Sequence, residues 1–195
     1  MSVIKNNRIS GSVIESAGSN DMADHHGAPS RLDRSKLESK INFDQAVDQV
    51  APDFTLVNQN GETFRLSDYK GKNIILFFNE GSMCYPACWN QIAALANDLR
   101  INNNETTAVS IVIDSKYEWE RIINSQPKLQ KATMLFDTNK LVSEMYDVLD
   151  LESSMHKGSY PGHTYFIINK NGIISFALDD PNMAINNNVL VSNLI

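Results

Sequence analysis

Cysteine is nearly absent from this chain: there are two in 195 residues, both inside Met83-Cys84-Tyr85-Pro86-Ala87-Cys88-Trp89. Long apolar runs are missing too, and none approaches the ~20 residues that a membrane-spanning helix needs. Net charge is −6 with no Lys/Arg cluster, which argues against nucleic acid and anionic membrane surfaces as partners. The first thirty residues lack the apolar core of a secretory signal, so a cytoplasmic location is the expectation. In a reducing compartment two neighbouring cysteines point to catalysis or metal binding rather than to a structural staple. What remains is a chain 42% apolar and 21% charged, enough for one domain with a proper core.

The cysteines follow the run Ile74-Ile75-Leu76-Phe77-Phe78, which is short, aromatic and β-branched, and reads as a buried central strand. Pro86 suits the first turn of a helix, where a missing N–H costs nothing. Beyond it Cys88, Ile92, Leu95 and Leu99 recur at helical spacing. The pair therefore stands at a strand-to-helix junction, where unpaired backbone N–H groups and the helix dipole favour a thiolate. Two buried cysteines can also be plain core residues. Spending both on one turn favours a redox or metal site.

Residues 1–45 read as a flexible extension rich in Gly, Ser, Asn and Asp, and 46–195 as the domain. His25-His26 in that extension reads as a solvated pair. Phe54–Val57 and Thr63–Leu66 flank Asn58–Gly61, a hairpin signal, and the central strand 73–79 follows. Then come a helix from Pro86 to about Ile101, a strand at 108–113, a helix near 117–125, a strand near 133–136 and a helix near 139–148. Strands at 164–168 and 173–177 are joined through Asn169–Gly172, and a closing helix falls within 186–195. This order predicts an α/β sandwich with a mixed central sheet.

At this point the residues resemble a known family. Ala51-Pro-Asp-Phe-Thr-Leu56, the central strand, the cysteine junction and His163-Thr-Tyr-Phe-Ile-Ile-Asn-Lys-Asn-Gly172 are similar to the peroxiredoxin-like (AhpC/TSA-type) redoxins of the thioredoxin superfamily. The likeness runs over roughly residues 48–180 and implies a thioredoxin-like three-layer αβα sandwich. It departs from the family in three ways. The pattern Pro-x-x-x-Thr/Ser-x-x-Cys fits neither cysteine, because three and seven residues before Cys84 stand Gly81 and Phe77, and before Cys88 stand Tyr85 and Gly81. The arginine that the family sets at the start of the late strand has no counterpart, since His163 occupies that region. The cysteine spacing is one longer than the thioredoxin Cys-x-x-Cys.

The resemblance implies thiol–disulfide oxidoreductase chemistry through Cys84 and Cys88, by disulfide exchange or peroxide reduction. Cys84, exposed ahead of the helix, is the expected attacking thiolate and Cys88 the resolving partner. Residues one helical turn apart have Cα atoms about 6 Å from each other, within disulfide range. Matching Thr164 to the late strand puts His163 at the family's cis-proline position, facing both cysteines as a thiolate partner or acid/base. Tyr85, Trp89 and Tyr165 are candidate walls, and His156 reads as a solvated loop residue. No cofactor is implied. The expected partner is a thiol or disulfide electron carrier, protein or small molecule, and the class allows a homodimer. The alternative is a Sco-type copper-binding redoxin, also similar in its Cys-x-x-x-Cys and later histidine, with Cys84, Cys88 and His163 as ligands. Gly162 stands where that family usually carries an Asp. Zinc is set aside because His156 and His163 are spaced too widely for its usual pattern.

Overall fold

Strand β3, Asn73–Phe78, is buried at every residue, and its two faces explain the rest of the architecture. Side chains alternate across a strand, so one face must carry Ile75 and Phe77 and the other Ile74, Leu76 and Phe78. In the computed structural model, which describes residues 40–194, the two sets enter two separate cores. Ile75 and Phe77 pack with Ile92, Leu95, Trp119 and Tyr165, while Ile74, Leu76 and Phe78 pack with Phe54, Phe64, Tyr146 and Phe166. A strand apolar on both faces is what a sheet covered on both sides requires. Burying Phe77 in full stabilises the fold by roughly 2–3 kcal/mol, and Phe77→Ala costs about 3–5 kcal/mol because a cavity remains.

The main sheet has five strands in the order β5-β4-β3-β6-β7, with β4 at Thr106–Val112, β5 at Met134–Phe136, β6 at Thr164–Ile168 and β7 at Ile174–Asp179. β3 runs parallel to β4 and antiparallel to β6, so the sheet is mixed. Helices α1 (Ala87–Asn97), α2 (Lys116–Ser125) and α4 (Asn187–Ser192) contribute buried residues to the Phe77 face. The opposite face takes α3 (Leu141–Met145) and the antiparallel hairpin of β1 (Thr55–Val57) and β2 (Thr63–Arg65). This is the expected three-layer α/β sandwich of thioredoxin type.

Residues 1–39, including His25 and His26, lie outside the described residues. At the end of the expected extension, Ile41 and Phe43 pack on the domain. Ile41 is buried and its N–H donates to the Met145 carbonyl at 3.0 Å, and the Phe43 ring meets Phe166 edge-on.

The helix expected from Pro86 to about Ile101 is shorter at both ends. Asp98 adopts extended backbone and caps it, and its carboxylate takes the backbone N–H and guanidinium of Arg100. Leu99 is therefore thrown out of the helix and is 81% exposed, not on the buried face with Cys88, Ile92 and Leu95. The helix expected near 139–148 also contracts, because Asp137 accepts the N–H groups of Val142 and Ser143 and fixes its start. Among the described residues no helix is long and apolar enough to cross a membrane.

Candidate active site

The pairing of β3 with β6 decides where the chemistry lies. Phe78 is the register partner of Thr164, so the chain leaving β3 at residue 79 meets the chain entering β6 at His163. A tight turn at Gly81–Met83 then leads into the cysteines. Gly81 is required there twice over. Its φ is +72°, and a Cβ would sit 1.9 Å from Asp114 Oδ2. The Asp114 carboxylate fills that space because it accepts the Ser82 N–H at 2.8 Å and the Trp119 indole N–H at 2.7 Å, and partial burial raises its pKa. Trp89 closes the turn from α1 by donating its indole N–H to the Gly81 carbonyl at 3.3 Å.

Cys84 and Cys88 are joined as a disulfide with Cα atoms 5.4 Å apart. The Cys88 N–H donates to the Cys84 carbonyl at 3.0 Å, which draws the pair into one turn. Pro86 stands at the N-cap of α1 rather than inside its first turn, after the cis Tyr85–Pro86 bond. Cys84 is buried, not exposed as the sequence led us to expect: it retains 4% of its accessible surface and Cys88 none. The cover over Cys84 is Met183, whose Sδ lies 4.0 Å from Cys84 Sγ. That methionine rides on the segment after β7, which folds back over the cysteine turn.

His163 is fully buried, with Nδ1 3.7 Å from Cys88 Sγ. The Gly162–His163 peptide bond is trans, so the cis geometry that the resemblance associates with this position is absent. Its Nε2 lies 3.1 Å from the Ala184 carbonyl and 2.7 Å from the Tyr165 hydroxyl, and its ring packs edge-on against Phe77. Burial lowers its pKa to about 4, against the opposing pull of the Ala184 carbonyl and of Asp180 and Asp179. The imidazole is therefore neutral near pH 7 and can accept a proton. Ser153 Oγ, which itself donates to Asp179, takes the His163 N–H at 2.6 Å. A Cβ on Gly162 would lie 2.0 Å from that Ser153 oxygen, so an acid at this position, as in copper redoxins, is sterically excluded.

The remaining expected residues divide. Tyr165 touches His163 directly, Trp89 holds the turn, and Tyr85 is 66% exposed with its ring against Trp89. His156 is exposed, as expected, with its ring on Glu80 and Tyr160. The sequence reading missed Glu80, which is 1% exposed and takes the Met155 N–H at 2.6 Å and the His156 N–H at 3.2 Å. It also missed Asp114, Ser153, Met183 and the Asp180–Asn186 segment. Asp180-Pro181-Asn182 carries an Asx-turn signal that marks a turn without saying what the turn covers. Among the described residues no three His, Cys, Asp or Glu side chains converge as a metal site.

A family model described as the AhpC/TSA family matches residues 47–177. Peroxiredoxin Bcp of Escherichia coli is 28% identical over 134 residues, covering 67% of this chain and 83% of that protein. Peroxiredoxin Bcp of Bacillus subtilis is 32% identical over 133 residues, covering 65% and 80%. The mitochondrial 2-Cys peroxiredoxin of Plasmodium falciparum superimposes with a TM-score of 0.62 at 24% identity, over 75% of this chain and 90% of that one; at such identity the likeness speaks for the fold. With the family model spanning most of the domain, the chain belongs to the AhpC/TSA family, as a peroxiredoxin-like, thiol-dependent oxidoreductase.

Proposed function

We propose that the Cys84–Cys88 disulfide is redox-active, that Cys84 attacks the substrate, and that Cys88 resolves with His163 as its base. The observation that carries this reading is the 3.7 Å approach of His163 Nδ1 to Cys88 Sγ, together with Cys84 being the less completely buried of the two residues. In the reduced protein the Cys84 thiolate, supported by N–H groups at the start of α1, attacks the terminal oxygen of a peroxide. The O–O bond breaks, the departing hydroxide or alkoxide takes a proton from solvent and leaves as water or an alcohol, and Cys84 becomes a sulfenic acid. Cys88 then gives its proton to His163 Nδ1 and attacks the Cys84 sulfur. The S–O bond breaks, hydroxide takes the proton from His163 and leaves as water, and the disulfide forms. A dithiol protein or small thiol supplies the two electrons and two protons that reopen it. In disulfide exchange the Cys84 thiolate instead attacks one sulfur of a substrate disulfide, whose S–S bond breaks and whose first thiolate leaves with a proton from solvent. Cys88 then gives its proton to His163 and attacks Cys84 in the mixed disulfide, and the second substrate thiolate leaves with that proton.

The cytoplasm is the compartment we propose, because there a thiol pool keeps such a pair reducible; a homodimer fits the class. No observation here favours the copper alternative: Gly162 admits no acid, and among the described residues no three His, Cys, Asp or Glu side chains converge. The test is trapping. Peroxide-treated Cys88→Ser should hold a sulfenic acid at Cys84 that dimedone labels, while Cys84→Ser should lose turnover. A dimedone adduct at Cys88 in Cys84→Ser, with full peroxide consumption, would reverse the roles.

A further inference from the structure

The loop that covers the cysteines is built around one carboxylate. Asp180 Oδ2 accepts the Ala184 N–H at 2.8 Å and an Asn186 Nδ2–H at 2.7 Å, and Asp180 Oδ1 accepts the Asn182 N–H at 3.0 Å. Burial opposes ionisation of Asp180, yet these bonds from Asn186, Ala184 and Asn182 hold its pKa below the usual carboxylate value. The result is a closed ring of backbone whose Ala184 carbonyl points at His163 Nε2. Asn186 braces that carbonyl through a second bond at 3.2 Å and reaches the Tyr165 hydroxyl at 3.5 Å.

The ring is tied to the cysteine helix. Gln91, fully buried on α1 one turn beyond Cys88, accepts the Asn186 N–H at 2.8 Å and donates to Asn187 Oδ1 at 3.1 Å. The helix that carries Cys88 thus sets the position of the loop that faces the far side of His163.

The partners of Nε2 differ in kind. A carbonyl can only accept, whereas the Tyr165 hydroxyl can donate or accept by rotating its hydrogen. A bare Nε2 at 3.1 Å from the Ala184 oxygen would set two lone pairs against each other in a buried site, and a protonated one makes a hydrogen bond. We infer that the Asp180–Asn186 loop, through the Ala184 carbonyl, fixes His163 as its Nε2–H tautomer and so presents an unprotonated Nδ1 to Cys88, with Asp180, Asn186 and Gln91 as positioning residues. This rests on the proposed role of His163 as base. It extends that role to a relay of sulfur, imidazole and main-chain carbonyl, in which the carbonyl does for His163 what a carboxylate does in other thiol–imidazole pairs.

The first readout is the imidazole itself in the oxidised protein, and the second is the rate of disulfide closure. Two-bond proton–nitrogen correlation spectra of ¹⁵N-labelled protein at pH 7, with the His163 signals identified by their loss in His163→Asn, should show Nε2 protonated and Nδ1 bare. Asn186→Ala should mix the two tautomers and slow disulfide closure from the Cys84 sulfenic acid about tenfold, a part of what a general base contributes. Tyr165→Phe should leave the tautomer as it is. A protonated Nδ1 in the unmodified protein would overturn the inference without any variant. So would a tautomer that switches in Tyr165→Phe and not in Asn186→Ala, which would make the hydroxyl the orienting group. If the tautomer is as stated but dimedone reports the reversed cysteine roles, the positioning stands and the assignment of the attacking sulfur falls.

Discussion

The two ends of the β3–β6 pair are built on opposite plans. At the end where Ile74 faces Ile168, the chain reverses through Asn169–Gly172, where Asn169 Oδ1 takes the N–H groups of Asn171 and Ile173 and the Lys170 and Gly172 carbonyls take the N–H groups of Gly71 and Ala51. Gly172 has φ +81° and nothing within 4 Å of where a Cβ would be, and the charges nearby, Lys170 with Glu105, pair in solvent. At the other end, where Phe78 faces Thr164, Asn79, Glu80, Gln91, Ser153, His163, Asp180 and Asn186 are all buried. Burying polar groups is costly unless each finds a partner. A fold concentrates them where they serve chemistry, and leaves plain hairpins elsewhere. The two ends share one pair of strands, so the difference comes from what each loop must hold.

The largest expected effect strikes the crowded end. Gly81→Ala combines an adverse φ with the loss of the Asp114 contacts to Ser82 and Trp119, and should cost roughly 3–5 kcal/mol in urea unfolding. A cost comparable to that of Gly172→Ala would break the comparison.

The next effect is pH-dependent. His163 has its pKa lowered to about 4 in the fold from 6.5, so the folded state binds fewer protons than the unfolded one between these values. Its contribution is complete above pH 6.5 and is lost as pH falls through 4, about 3 kcal/mol in all. Oxidised His163→Asn should show a flatter stability curve over that window. An unchanged slope would mean that other groups carry the acid sensitivity.

The smallest effect belongs to the open end. Gly172→Ala should cost only the strain of a left-handed alanine, about 1–2 kcal/mol, and leave thiol reactivity unaltered. Together the three substitutions separate strain, packing and proton linkage.

Much of the crowded end was legible in the sequence. The run 74–78 announces a strand buried on both faces, and it ends at the cysteine turn. His163 followed from the family resemblance, by matching Thr164 to the late strand, and the antiparallel pairing of β6 with β3 is what brings it to the cysteine turn. The loop after β7 was not legible. Met183 meets Cys84 across 99 positions and Asn186 meets Gln91 across 95, and a polar Asp/Asn-rich stretch gives no periodicity from which such contacts follow. Its seven residues form the cover of the site. Leu99 shows the reverse error: helical spacing placed it inside, and a single capping carboxylate at Asp98 turned it out. The supports of the turn, Glu80 and Asp114, hid for the same reason as the loop, since a carboxylate between elements reads as solvated until the topology encloses it.

The central claim is that these two sulfurs form one reversible redox pair within a single chain. Intact-mass measurement of the reduced protein after one equivalent of hydrogen peroxide tests it most directly. The account predicts the loss of two hydrogens, a peptide map with Cys84 linked to Cys88 in the same chain, no retained oxygen, and full return of both thiols with dithiothreitol. Persistent free thiols, a stable added oxygen, or a disulfide between two chains would contradict it.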